Sequence, residues 1–272
     1  MTTQIKIHYA VQVCDTASYQ GSKRFCGDDR TLLSKKSLTS LLNSIKNTTD
    51  THSNVLHEIL IIYDNTSNDL LSYIEKLVEK FQSQCIHIEL QSLKPRTGIV
   101  DSIRYCYQWL DEHGQDLVFQ IQDDYLFSIP TITDCLDHFY LTVNELNTHP
   151  VIQPFNDITY WAFGYKNRPT PRLISLGKNG YWIQIYDTSC SFMTSHWQFR
   201  QHWDLYDRFF HLIPNLGKKD SKLENDSLNY IFTKRAVLGL TPINTLSHHI
   251  QTQPDLYIDW RPLWDSIAVD HD

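Results

Sequence analysis

Two adjacent carboxylates, Asp123 and Asp124, follow the apolar run 117–121 in the stretch Gln122-Asp123-Asp124-Tyr125. Two acids side by side at the end of an apolar strand are costly unless water or a partner compensates them. A divalent cation bridging two phosphates is a natural partner. Mg2+ and Mn2+ take oxygen ligands, commonly one or two protein carboxylates plus substrate phosphates. A solvated loop is the plainer reading. A second acidic stretch, Asp64-Asn65-Thr66-Ser67-Asn68-Asp69, follows the apolar run 58–63. A carboxylate there can accept hydrogen bonds from a base or ribose. Equally, Ser67 can cap the next helix and Asn65 can support the turn.

Other residues could serve the same chemistry. Gly98, in Arg96-Thr97-Gly98, allows a close backbone turn, and Arg96 could reach a phosphate. Arg24 and Arg30 are similar cations, or plain surface charge. Glu224-Asn225-Asp226 could supply a general base to a hydroxyl, or could complement a helix dipole. His248-His249 is a solvated pair or a source of imidazole for a cation such as Mn2+.

The elements that must hold these residues alternate. Residues 5–13, 58–63, 86–90 and 117–121 read as strands, and 32–45, 69–81 and 99–110 carry apolar residues at helical spacing. That β-α-β-α-β-α-β order implies a parallel sheet with helices on both faces, with ligands beyond the carboxyl ends of its strands. Beyond it, 131–146 reads as a helix, 151–155, 181–186 and 191–193 as strands, and 196–210 and 224–234 as helices. The tail from Gln251 holds two Pro-containing turns and two Trp residues.

Composition bounds the rest. The 272 residues are 41% hydrophobic and 20% charged, which suits a substantial core. The net charge of -7 and the lack of a Lys/Arg tract argue against a long nucleic acid as partner. The first residues do not form a signal peptide, and no apolar run is long enough to span a bilayer, so a soluble, cytoplasmic protein is expected. The six cysteines form no CxxC pair and read as free, mostly buried thiols.

In element order, roughly residues 5–250 resemble a GT-A glycosyltransferase of the family-2 type. Asp64, Ser67 and Asp69 match that family's D-[DN]-x-S-x-D pattern, Gly98 resembles its N-x-G segment, and QDDY resembles its D-x-D or EDD metal motif. Residues 188–193 resemble the acceptor-side strand, Glu224 and Asp226 the acidic pair that supplies the base of inverting members, and LSHH a late metal-binding His motif. Two positions depart from the pattern: Gln122 stands where the first acid of D-x-D would be, and Thr66 where the glycine of the usual DDGS turn would be.

The resemblance implies one α/β catalytic domain with a Rossmann-like, mostly parallel sheet flanked by helices. Residues 1–127 would form the nucleotide-sugar half, 128–250 the acceptor half and 251–272 a tail. It implies transfer of a sugar from a nucleotide-sugar donor to a glycan or other hydroxyl-bearing acceptor, with inversion, assisted by Mn2+ or Mg2+. The donor would meet Val13, Asp15, Arg24, Asp64, Arg96, Gly98, Asp101, Gln122 and Asp123. The metal would meet Asp124 and His249, or failing that His248. The base would be Asp226, then Glu224, then Asp187. A nucleotidyltransferase shares such a half but usually carries a Gly-rich basic loop after its first strand, which Val13-Cys14-Asp15-Thr16 does not resemble. A non-catalytic nucleotide-sugar-binding protein of the same fold is the other alternative, and Gln122 is its best support.

Overall fold

The computed structural model describes residues 4–15, 29–64, 66–93, 98–156, 173–186, 188, 191–212, 227–250 and 260–269. The first half follows the expected alternation: β1 (Ile5–Val13), α1 (Arg30–Thr51), β2 (Val55–Tyr63), α2 (Asn68–Phe81), β3 (Ile86–Ser92), α3 (Gly98–His113) and β4 (Leu117–Gln122). Then come β5 (Tyr125–Phe127), α4 (Thr131–Leu146), β6 (Val151–Ile152), β7 (Ile174–Leu176), β8 (Tyr181–Ile185) and β9 (Phe192–Ser195). The last elements are α5 (His196–Gln201), α6 (Trp203–Leu212), α7 (Tyr230–Thr233), β10 (Gly239–Pro242), β11 (Ser247–His249) and α8 (Arg261–Ser266).

Nine strands form one sheet in the order β3-β2-β1-β4-β9-β6-β10-β8-β7. Only β8 and β9 run against the others, so the sheet is mostly parallel. Strand alternation divides the core. Ile7, Tyr9 and Val11 pack with Leu38, Leu41 and Ile45 of α1 and Ile74 and Leu77 of α2 on one face. Ala10, Leu60 and Val118 pack with Tyr107 and Leu110 of α3 and Tyr206 and Phe210 of α6 on the other. This three-layer α/β arrangement is Rossmann-like, and the sheet continues without a break from the first half of the chain into the second.

The helix starts follow capping chemistry. Asp29 accepts from the Leu32 amide at the head of α1, and Ser67 accepts from the Leu70 amide at the head of α2.

The second half departs from the expectation in places. The strand expected over 151–155 pairs only at Val151–Ile152 before Pro154, which has no N–H for a ladder. The helix expected over 196–210 is broken at His202 into α5 and α6. Among the described residues of 224–234, only Tyr230–Thr233 is helical, after a turn at 227–229. Cys85, Cys106 and Cys135 are free thiols, the last two buried. Among the described residues, no helix is long and apolar enough to cross a membrane.

Candidate functional site

The carboxyl ends of β1, β2 and β4 bring four acids to one edge of the sheet: Asp15, Asp64, Asp123 and Asp124. β1 pairs in parallel register with both β2 and β4, Val13 opposite Tyr63 and Gln12 opposite Gln122, so the strand ends are level. Acids just beyond them therefore cluster, whatever their separation along the chain.

Each acid does something different. Asp15 is a strut: its carboxylate accepts from the Thr31 hydroxyl at 2.8 Å and from the Ser67 amide at 2.8 Å, as well as from the Ser67 hydroxyl. It thus ties the end of β1 to the starts of α1 and α2.

Asp64 is 4% exposed. Its Oδ2 accepts from the Gly98 amide at 2.8 Å, which fixes the N-terminus of α3. Gly98 has φ 81°, in the left-handed region where a side chain is strained. Ser67, not Asp64, caps α2. The buried Oδ1 of Asp64 has no hydrogen-bond partner among the described residues. Buried carboxylate oxygens seldom stay unsatisfied, so this atom is suited to accept from a ligand.

Asp123 is turned inward. Its Oδ2 accepts from the Ser34 hydroxyl at 2.6 Å and the Cys14 amide at 3.0 Å. Burial, with the neighbouring Asp124 adding to it, pushes the carboxyl up to about 6, against the pull of Ser34, the Cys14 amide and Arg30. Arg30 itself donates to the Cys14 carbonyl at 3.1 Å.

Asp124 meets a residue from far along the chain. β11 pairs antiparallel with β5, placing His249 opposite Tyr125 and His248 opposite Leu126. His249 Nε2 lies 3.3 Å from Asp124 Oδ2, and its ring stacks on Tyr125 with centroids 4.6 Å apart. Adjacent strand residues point to opposite faces. His248 accordingly turns away and stacks on Trp260 at 5.4 Å. The structure thus brings His249, and not His248, to Asp124.

A feature that sequence reading missed holds this turn in place. Ser34, Ser37, Ser40, Ser44 and Thr48 line one buried face of α1. Ser34 binds Asp123, and Ser37 donates to the Tyr125 carbonyl at 2.7 Å. Ser40 accepts from the Phe127 amide at 3.1 Å, and Ser44 from the Ile132 amide at 3.0 Å. The hydroxyls act as a ladder for β5, whose other edge is taken by β11. The signal was visible: small hydroxyl residues recurring every three or four positions along a helix with apolar residues between them.

The stretch 188–193 is partly described. The Gln122 amide donates to Ser191 Oγ at 3.4 Å, and the Thr188 amide to Asn229 Oδ1 at 3.1 Å. Ser191 is thus joined to the last residue of β4, and Thr188 to the turn at 227–229. Asp187, Glu224, Asp226, Arg24 and Arg96 themselves lie outside the described residues. Val13 is fully buried, so only its backbone faces this edge; its carbonyl accepts from the Asp64 amide at 3.3 Å. Asp101 is exposed on the first turn of α3 and lies 3.9 Å from Arg104.

Asp124 and His249 could together hold a cation. Two cis ligands of an octahedral ion, each at about 2.1 Å, sit about 3 Å apart. The Asp124–His249 separation of 3.3 Å fits that requirement. Among the described residues, no group of three or more His, Cys, Asp or Glu converges as a metal site.

The chain is thus a three-layer α/β protein with a mostly parallel sheet, one edge of which gathers four acids. No family model and no curated protein matches the chain. Solved structures do. The crystal structure of S. aureus TarS 1-349 superposes with a TM-score of 0.48 at 13% identity, covering 89% of this chain and 60% of that one. The apo-form glycosyltransferase GlyE of Streptococcus pneumoniae TIGR4 gives 0.43 at 10% identity, covering 94% and 46%. The mannosyltransferase PcManGT from Pyrobaculum calidifontis, in complex with GDP-Man and Mn2+, gives 0.45 at 10% identity, covering 89% and 56%. The chain thus spans less than two thirds of the length of each of these structures.

Proposed function

We propose that the protein is a glycosyltransferase that moves a sugar from a nucleotide-sugar donor to an acceptor hydroxyl with inversion, assisted by Mn2+ or Mg2+. The observation that carries this reading is the meeting of Asp124 with His249 at the carboxyl edge of a parallel sheet, beside the open Oδ1 of Asp64. Ligands of open α/β sheets bind at that edge. Asp124 and His249 would hold the cation, with diphosphate oxygens and water completing its shell. When bound, the cation offsets the negative charge that grows on the departing nucleoside diphosphate.

The chain's own residues divide the remaining work. Asp64 Oδ1 accepts from the base or the ribose, while its Oδ2 keeps the start of α3 in position. The positive end of the α3 dipole favours an anionic donor. Asp123 and the serines of α1 hold the turn that carries Asp124. Asp226, with Glu224 and Asp187 behind it, takes the proton of the acceptor hydroxyl as that oxygen attacks the sugar's anomeric carbon. A single displacement with one such base inverts the configuration.

Gln122 favours a second reading, in which the protein binds a nucleotide-sugar without turning it over. One assay separates the two: release of nucleotide from a panel of UDP-, GDP-, ADP-, dTDP- and CMP-sugars, with and without Mn2+, with binding measured in parallel. Mn2+-dependent release from one donor class is the expected result. Binding without release supports the second reading, and neither binding nor release across the panel overturns both.

A further inference from the structure

The opposite end of the sheet carries a cavity. β9 ends at Ser195, which pairs with Leu117, the first residue of β4, whereas Asp123 follows the last residue of β4. Six strand residues at about 3.3 Å each separate the two ends by roughly 20 Å. At this far end a cavity of about 570 Å³ opens between the end of α4, the start of α5 and the loop into β10. His149, Trp197, Gln201, His202 and Arg235 give it its chemistry.

Trp197 is 58% exposed, and its indole meets the His149 ring at 5.4 Å and 61°. His149 is fixed by a 2.7 Å hydrogen bond between its Nδ1 and the Ser195 hydroxyl. Gln201 is exposed and can both donate and accept. His202 Nδ1 is buried and has no hydrogen-bond partner among the described residues. Burial, and then the charge of Arg235, lower the pKa of that imidazole, against the pull of Asp204. The guanidinium of Arg235 is paired with Asp204 at 2.7 Å. Ala236, at the rim, holds φ 56°, a conformation a non-glycine residue adopts at some cost.

We infer that this cavity is a binding site for a neutral saccharide, separate from the strand-end site. A sugar ring has one face of weakly positive C–H groups, which suits the electron-rich face of an exposed indole. Its hydroxyls both donate and accept, as does the exposed amide of Gln201. Phosphate or sulfate finds less here, because the cavity's guanidinium already has a carboxylate partner. The inference stands on this cavity alone and does not depend on the chemistry proposed for the other end of the sheet.

The test is calorimetric titration of the full chain with maltohexaose, cellohexaose, mannohexaose and chitohexaose. At least one is expected to bind. Trp197→Ala should weaken that binding on the order of tenfold, and Gln201→Ala by less. Both side chains are exposed, so circular dichroism should be unchanged in either variant. Asp124→Asn should bind the same saccharide normally, which sets this site apart from the strand-end one. Three results would overturn the inference: no hexasaccharide binds, binding is undiminished in Trp197→Ala, or binding is lost in Asp124→Asn.

Discussion

Replacing Asp64 by Asn tests the strand-end site atom by atom. The side chain keeps its shape. Its carbonyl oxygen can still accept from the Gly98 amide, which the wild type binds at 2.8 Å. The position of the buried, unpartnered Oδ1 becomes an NH2 group, which cannot accept. A hydrogen bond to a charged acceptor contributes about 1.5–3 kcal/mol, so the nucleoside diphosphate selected by the donor panel should bind roughly 10- to 150-fold more weakly. Folding stability should change by less than about 1 kcal/mol, because the tether to α3 survives. Asp64→Ala removes the tether as well. It should lose the same affinity and also about 1 kcal/mol of stability, a modest figure because water can reach the Gly98 end of that bond. Calorimetric affinity and urea unfolding of both variants give the four numbers needed. Wild-type affinity in Asp64→Asn, with a stability loss only in Asp64→Ala, would reduce Asp64 to a helix tether and refute its contact with the nucleotide.

Three further outcomes are expected. Asp124→Asn and His249→Ala should each abolish tight Mn2+ binding, followed by the manganese EPR signal, whereas His248→Ala should keep it and lose about 0.5–1.5 kcal/mol of stability from the Trp260 stack; equal Mn2+ affinity in all three variants would remove the metal assignment. Asp226→Asn should cut turnover on the order of 10²–10⁴-fold with donor affinity unchanged, and near-normal turnover would move the base to Glu224 or Asp187. Acid should destabilise the fold through three buried histidines. Burial lowers the pKa of His57 from 6.5 to about 3, and burial foremost lowers those of His8 and His138 to about 4. The unfolded chain takes up these protons first as pH falls below 6.5, so stability present above that value is lost towards the folded pKa values, by up to about 1.4 kcal/mol per pH unit for each histidine. Urea titrations between pH 7.5 and 4.5 should trace that loss and show a shallower slope in His57→Gln; identical slopes would refute the assignment to His57.

The amino-acid sequence by itself determined the first half of the fold. The strand period of two and the helix period of 3.6 are local properties, and the boundaries read from them at 69–81 and 117–121 differ by one residue from those observed. It also determined that Asp64, Asp123 and Asp124 sit just past strand ends, because a strand-end residue needs only its own strand to be recognised. The four short strands β5, β7, β10 and β11 escaped, since three or four residues carry no usable period.

Tertiary structure decided the roles within that frame. Whether His248 or His249 faces Asp124 depends on the register of β11 against a strand more than a hundred residues earlier, and a slip of one residue would exchange them. That Asp123 turns inward while Asp124 meets His249 depends on Ser34 of α1, 89 positions away. The far cavity is assembled from residues near 149, 200 and 235 that share no motif. Local periodicity records which element a residue joins. The residues it meets across space are fixed only when the sheet order and the strand registers are chosen together, and that choice is made by packing of the whole chain.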